Sequence, residues 1–177
     1  MADESQQSPL IDALRWYDDE SRSARASRIE WASSLYQSRG MVSGELVQLS
    51  LMEESRVCFV NGQFLACVLC ATSAVEHLLV AELEAKVMLG GKTTLGPLIQ
   101  KARDVNLFQP PVIQRLQTLN ELRNPLAHRR DPGDESTFAI RYLQHKVHPN
   151  ALMENDARIA IGVMYEIFLL LLRPATK

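Results

Sequence analysis

A cluster of residues suited to phosphate chemistry lies in the segment LNELRNPLAHRR, which begins at Leu119. Arg123, Asn124 and His128 bring a fixed cation, an amide and an imidazole together where an apolar-periodic stretch ends. A guanidinium binds phosphate oxygens, an amide donates and accepts hydrogen bonds, and an imidazole exchanges a proton near neutral pH. These three groups are the ones that the cleavage of a phosphodiester requires.

A structural role for the same residues is the competing interpretation. Arg and His suit the negative end of the helix macrodipole, and Asn is a common residue at helix ends. Pro125 lies between them and cannot donate a backbone hydrogen bond to Glu121, so a kinked last turn reaching His128 is expected. Residue types and spacing alone therefore leave both interpretations open.

The order of these residues resembles the R-x(4-6)-H motif of HEPN domains (higher eukaryotes and prokaryotes nucleotide-binding). The match consists of Arg123, Asn124 in second place and His128, after an apolar helix that reads LxxLR. The upstream stretch VCFVNGQFLACVLCATSAVEHLLVAEL is similar to the paired helices of that family and has an acidic residue, Glu76, in the second helix. The resemblance covers roughly Gly44 to Arg173.

The resemblance implies a metal-independent endoribonuclease that uses no cofactor and acts on single-stranded or looped RNA. The ribose 2′-hydroxyl would be the nucleophile, so no activated water and no metal are needed. His128 would transfer protons, Arg123 would stabilise charge on the phosphate, and Asn124 would orient one or the other. We expect Glu76, a supporting residue, to pair with Arg123, because an acid and a guanidinium that interrupt apolar faces are best placed together.

The resemblance also implies a homodimer, because in many members of the family the motif faces its twofold copy. Such a pairing would supply two His and two Arg to one cleft. A toxin or defence effector with a separately encoded antitoxin partner fits this description. The alternative is a non-catalytic HEPN module that dimerises and binds a nucleotide, RNA or a partner protein. A helical protein whose motif residues only cap and pair is the third interpretation.

Charge is segregated along the chain. The 177 residues carry a formal net charge of −2, so RNA binding needs a local basic patch rather than an overall field. Residues 101–148 contain eight Lys or Arg against five acids, and Arg129 and Arg130 are the predicted RNA-binding residues there. The first sixty residues contain ten acids against six Arg.

Composition narrows the possible cellular location of the protein and the kinds of additional site that it could contain. The acidic N-terminal sequence indicates no secretory signal, and no stretch is expected to reach the eighteen or so apolar residues of a membrane span, so a cytoplasmic protein is expected. Cys67 and Cys70 form a C-x-x-C within an uncharged helical stretch, and core packing explains them better than redox chemistry or zinc binding. The segment Gly90-Gly91-Lys92 does not match a phosphate-binding loop. Such a loop needs another glycine five residues before Gly91, and this chain has Lys86 at that position.

Apolar periodicity predicts helices throughout and no strand. Residues 1–43 are interpreted as a disordered tail and a helical arm, either one helix from Pro9 or two joined near Ser21, which packs in cis or on a second subunit. Residues 44–177 are interpreted as an HEPN-like bundle, with the boundary at 39–44, a central helix after Asn61-Gly62 and a brief helix or irregular return over 138–145. A nearly all-apolar helix from Ala157 to Leu172 is expected to close the chain. The predicted fold is an all-α up-down bundle with an N-terminal helical arm.

Overall fold

The computed structural model describes residues 8–35, 45–86, 94–128, 131, 134–135 and 137–172. These residues form seven helices, and no strand occurs within the described ranges. The helices are α1 (Pro9–Leu35), α2 (Leu46–Val60), α3 (Phe64–Glu84), α4 (Leu95–Asp104), α5 (Pro110–Ala127), α6 (Phe138–His145) and α7 (Pro149–Leu171). The predicted all-α class is confirmed, whereas the predicted boundary at 39–44 lies outside the described residues.

Helix α3 is the centre of the bundle. It packs against α2, α4, α5 and α7, and ten of its residues are buried, Leu79 and Leu83 completely. Such all-round contact follows from a sequence that is apolar on most of its circumference and has no charge before Glu76. The prediction that this helix is the central one is confirmed.

The apolarity of α3 corrects one expectation from the sequence. This helix, 21 residues long with a mean hydropathy of 1.9, is long and apolar enough to cross a membrane by length and composition. Half of the apolar window is buried inside the bundle. The core helix of a helical bundle needs the same apolarity, because it must bury its surface against several neighbours at once.

The α2–α3 connection is a tight reversal. Gly62 has a φ of +77°, a left-handed conformation that glycine adopts without a steric penalty. The Gln63 amide donates to the Cys58 carbonyl at 2.8 Å, and the Gly62 amide donates to the Phe59 carbonyl at 3.1 Å. These bonds satisfy carbonyls that the end of a helix leaves unpaired, so Asn61-Gly62 ends α2 as expected.

The helical arm is one continuous helix, α1, attached by its second half. Trp31 packs on Phe59 with ring centroids 5.0 Å apart, and Ala32 is buried. The Arg28 guanidinium lies over the Phe64 ring and donates to the Val60 carbonyl at 3.4 Å. The second half of the arm therefore packs in cis, and there is no break near Ser21.

Helix α7 differs from the sequence-based expectation, and helix α6 makes that expectation more definite. Helix α7 begins at Pro149, well before the predicted start at Ala157, with His148 as its N-cap: His148 Nδ1 accepts from the Asn150 amide at 3.2 Å. The proline at the first helical position is the start signal that the apolar run obscured. The predicted brief helix over 138–145 is α6.

Replacing a buried leucine of α3 should destabilise the protein much more than replacing an exposed leucine of the same helix. We expect Leu79→Ala to lower the free energy of unfolding by roughly 2–5 kcal/mol, because Leu79 is 0% exposed and its loss leaves a cavity. Leu65→Ala, on the same helix but 47% exposed, is the matched control and should change stability much less. Urea unfolding curves measure both, and equal effects would contradict the assignment of α3 as the core.

A pH dependence of stability should come from Glu154, which joins α1 to α7. Burial alone would raise the pKa of Glu154, but hydrogen bonds from Arg158 (2.7 Å) and Arg28 (3.2 Å) outweigh it and lower the pKa below the ordinary 4.5. A lowered pKa contributes stability that is present above about pH 4.5 and is lost as the pH falls through the lowered value. Unfolding free energies measured between pH 6 and 3 should fall less steeply for Glu154→Gln than for Glu121→Gln, an exposed control position.

Candidate functional site

The end of α5 carries the Arg-His motif on a helical turn that continues past a proline. Pro125 lies inside the helix, and α5 ends at Ala127. The His128 amide donates to the Asn124 carbonyl at 3.0 Å, and His128 itself is extended, with φ −137° and ψ 133°. The expected helical turn beyond the proline is therefore present up to Ala127, and it sets the position from which the His128 side chain extends.

The Arg123 and His128 side chains converge. One guanidinium nitrogen of Arg123, Nη1, lies 3.3 Å from Nε2 of His128. Arg123 is half-buried and His128 is exposed, so the pair sits at the protein surface rather than in the core. A spacing of five residues brings them together because His128 leaves the helix at its C-cap instead of continuing around the axis.

The contact fixes which nitrogen of the imidazole carries the proton. A guanidinium only donates hydrogen bonds, so Nε2 of His128 must accept from Arg123. A neutral imidazole that accepts at Nε2 carries its proton on Nδ1. The lone pair that a general base would use is therefore held against the cation that would bind a phosphate.

Of the three other residues predicted for this segment, the structure describes Asn124. Asn124 is half-buried, its carbonyl holds the His128 amide, and its side chain makes no hydrogen bond within the described part of the chain. That amide lies next to Arg123 in sequence and is available to a ligand. The predicted RNA-binding residues, Arg129 and Arg130, lie outside the described residues.

Glu76 has a different partner from the one expected. Its Oε1 accepts from the Leu95 backbone amide at 2.8 Å, which places a carboxylate at the N-terminus of α4. An acid is favourable there because it satisfies an unpaired helix amide and faces the positive end of the macrodipole. Helices α3 and α5 do pack together, but among the described side chains no hydrogen bond or ion pair joins Glu76 to Arg123.

A small cavity lies behind the motif turn. It is about 110 Å³ and is lined by the end of α5, including Pro125 and Leu126, by Leu65 at the start of α3 and by Phe138 of α6. Sites that enclose a nucleotide-sized ligand have roughly 300–1,000 Å³. A nucleic acid at the motif would therefore bind on the surface, with this cavity beneath it.

The wall of this cavity contains an ion pair that the sequence interpretation missed. Arg141 of α6 donates to both carboxylate oxygens of Asp156 in α7, each at 2.7 Å. The hydrogen bonds that Arg141 donates to Asp156 outweigh partial burial and raise the pKa of Arg141. The pair fastens α6 to α7 beside the motif. The available signal was an acid directly before the apolar run that begins at Ala157, because a buried acid requires a partner.

The cysteines have a packing role in the described structure. All three are free thiols, Cys67 is fully buried, and its neighbour Ser55 donates to the Cys67 carbonyl at 3.1 Å. Burial raises the pKa of Cys67 to about 12, which disfavours the reactive thiolate. Within the described ranges no group of three or more His, Cys, Asp or Glu side chains could hold a metal ion.

Comparison with known proteins gives no independent assignment. No protein-family model matches the chain, no curated protein matches it, and no solved structure matches it. The function must therefore be argued from the arrangement of the side chains.

The tautomer of His128 provides a direct test of the site geometry. At a pH where the ring is neutral, Nε2 of His128 should be unprotonated and Nδ1 protonated, because Arg123 donates to Nε2. Long-range proton–nitrogen NMR correlations distinguish the two nitrogens. In Arg123→Ala the ring should redistribute its proton between them, whereas Arg103→Ala, an exposed position on α4, should leave it unchanged. A proton on Nε2 in the unaltered protein would contradict the contact.

Proposed function

We propose that this protein is an HEPN-type endoribonuclease that cleaves RNA without a metal. The observation that carries the proposal is the convergence of Arg123 and His128 at an exposed helix end, 3.3 Å apart, with Asn124 next to Arg123 in the sequence. A purely capping role for His128 would leave its side chain packed or directed at a helix carbonyl. Instead the imidazole meets a cation, an arrangement that favours an anionic ligand able to separate them.

The geometry supports a sequence of steps in which a phosphate replaces the contact between the two side chains. A phosphodiester approaching the site is a stronger partner for the guanidinium than a neutral imidazole is, because the hydrogen bonds are then charge-assisted on both sides. Arg123 moves its donors to the phosphate oxygens, and Nε2 of His128 is released. That lone pair can then take the proton of the 2′-hydroxyl, whose oxygen attacks the neighbouring phosphorus.

The products follow from the nucleophile. The 2′-oxygen displaces the 5′-oxygen of the next nucleotide and leaves a 2′,3′-cyclic phosphate, which water can open to a 3′-phosphate. Arg123 stabilises the charge that develops on the phosphate, and Asn124 holds a phosphate oxygen or the hydroxyl. The leaving 5′-oxygen needs a proton from a second donor. A twofold copy of the motif in a homodimer, also part of this proposal, would supply that donor as a second His128.

The surface position of the motif favours flexible RNA. A cavity of about 110 Å³ cannot enclose a nucleotide, so the substrate must present its backbone to an open surface. In-line attack by the 2′-hydroxyl also requires a backbone that can rotate freely, as it does in single strands and loops. Arg129 and Arg130, next in sequence to His128, would add phosphate contacts.

Cleavage of labelled RNA in excess EDTA tests the proposal. The purified chain should cut RNA, leave cyclic or 3′-phosphate ends, and fail on the same sequence made as DNA. His128→Ala should lower the rate roughly 100-fold or more, the usual contribution of a positioned acid or base. Arg123→Ala should cause a comparable loss and should also weaken RNA binding, because a phosphate contact is lost.

Matched controls come from the same residue types elsewhere in the bundle. His77→Ala on α3, whose Nδ1 meets Glu45 at 3.2 Å, and Arg103→Ala on α4 should keep the full rate. A requirement for a divalent metal, or cleavage that persists in both motif variants, would overturn the nuclease. RNA or partner binding without cleavage would identify the non-catalytic module instead.

A further inference from the structure

The first half of α1 has an exposed apolar face that no other described part of the chain packs against. All residues from Pro9 to Glu20 are exposed, among them Leu10 at 74%, Leu14 at 62% and Tyr17 at 59%. These three recur at spacings of four and three, so they form one stripe on the helix. Isolated exposed apolar residues are ordinary on a protein surface, but a continuous stripe of large ones marks an interaction site.

The stripe continues one that is already in use. In the second half of α1, Arg28, Trp31, Ala32 and Leu35 lie on the same side of the helix and pack on the bundle. Trp16 is 66% exposed but lies about 120° around the axis from Leu10, well off this stripe. The helix therefore presents one binding face along its whole length, and the bundle of the same chain covers only the second half.

The uncovered half extends from the end of the bundle that carries the motif. Arg28 contacts Val60 at the end of α2, Phe64 at the start of α3 and Glu154 in α7. Leu65, at the same end of α3, lines the cavity behind the motif turn. The twelve residues before Ser21 reach about 18 Å beyond this end, at about 1.5 Å per residue.

Charge marks the arm as one member of a complementary pair. Residues 9–20 contain four acids and one Arg. Three of the acids, Asp12, Asp18 and Asp19, form exposed ion pairs with arginines of the same helix, which leaves Glu20 as the acid of this half with no ion pair among the described contacts. Near the motif, α6 and the residues after it present an exposed surface of opposite character, 142–148, with Leu143 at 65% and Tyr142 and Val147 also exposed. The range 138–148 contains Arg141, Lys146 and two His and no acid. Because Arg141 is paired with Asp156, the exposed cation of this surface is Lys146.

We infer that the first half of α1 binds the α6 surface of a second copy of this chain. Leu10, Leu14 and Tyr17 would pack on Tyr142, Leu143 and Val147, with Glu20 beside Lys146. Under twofold symmetry each copy gives one arm and receives one, so the same contact forms twice. Pairing of two arms with each other is less favourable, because it brings together two segments of the same negative charge.

The arm does not cover the α6 surface of its own chain, because both surfaces are exposed in the described structure. Helix α1 is continuous, Arg28 fixes it to the bundle, and both the arm and residues 142–148 are exposed in the single chain. Contact in cis would require a break in α1 that sacrifices helical hydrogen bonds. A second copy needs no such break. This inference stands on the arm and α6 and does not require the motif to cut RNA.

Light scattering and sedimentation of the full-length chain, without RNA, test the inference. The unaltered chain should be a dimer at micromolar concentration. Leu14→Ser with Tyr17→Ser, and separately Leu143→Ser with Lys146→Glu, should each raise the dimer Kd roughly tenfold or more, because large apolar side chains lose their burial. Trp16→Ser, which removes an equally exposed side chain off the stripe, is the matched control and should leave the dimer intact. Circular dichroism should show all three variants to be folded.

Mixing the arm variant with the α6 variant distinguishes the reciprocal arm-to-α6 contact from other modes of dimerisation. The arm variant and the α6 variant, each a monomer alone, should form a heterodimer when combined, because one intact arm then meets one intact α6 surface. A monomeric unaltered chain would overturn the inference. A dimer sensitive to the arm variant but not to the α6 variant would show arm-to-arm pairing and overturn the α6 assignment. Equal loss with Trp16→Ser would show nonspecific association and would also overturn it.

Discussion

The burial of α3 is the constraint on which the rest of the bundle depends. A helix that is apolar around most of its circumference is stable in water only when several elements bury a large part of its surface. Helices α2, α4, α5 and α7 supply that cover. The motif helix α5 is held at a fixed place for this reason: its inner residues Val112, Ile113, Leu116 and Leu119 are buried. Its polar last turn consequently emerges at one end of the bundle, where the core stops.

Ion pairs join the helices at the end of the bundle that carries the motif, once apolar packing has positioned them. Near the start of α7, Glu154 accepts from Arg28 of the arm and from Arg158, while Asp156 binds Arg141 of α6. The two acids sit two residues apart on one helix and fasten two different elements, the arm and α6. Partly buried pairs of this kind add little net stability, but breaking one leaves an unpaired charge, so they select one arrangement of the elements over others. The arm, the motif and α6 therefore share one region of the surface.

The proposed chemistry and the proposed assembly meet at this region. His128, held by Arg123 through Nε2, is suited to release the Nε2 lone pair when an anion arrives, and the exposed position of His128 leaves room for a backbone phosphate. One imidazole per motif provides one proton carrier, whereas transesterification uses a base and an acid. A dimer that exchanges arms across the motif ends would bring two motifs to the same side of each chain. Assembly would then control activity, because a monomer would contain only half of the proton-transfer groups.

The sequence by itself determined the all-α class, the central position of α3, the turn at Asn61-Gly62 and the helical turn beyond Pro125. These are local properties: periodicity, glycine conformation and proline geometry act over a few residues, so they can be read without knowing what lies opposite. The tertiary structure decided the partner of Glu76, the pairing of Arg141 with Asp156 and the attachment of only half of α1. Each of these depends on which groups distant in sequence meet at a shared surface. A carboxylate such as Glu76 can satisfy a helix amide as well as a guanidinium, and only the packing of α4 against α3 chose between them.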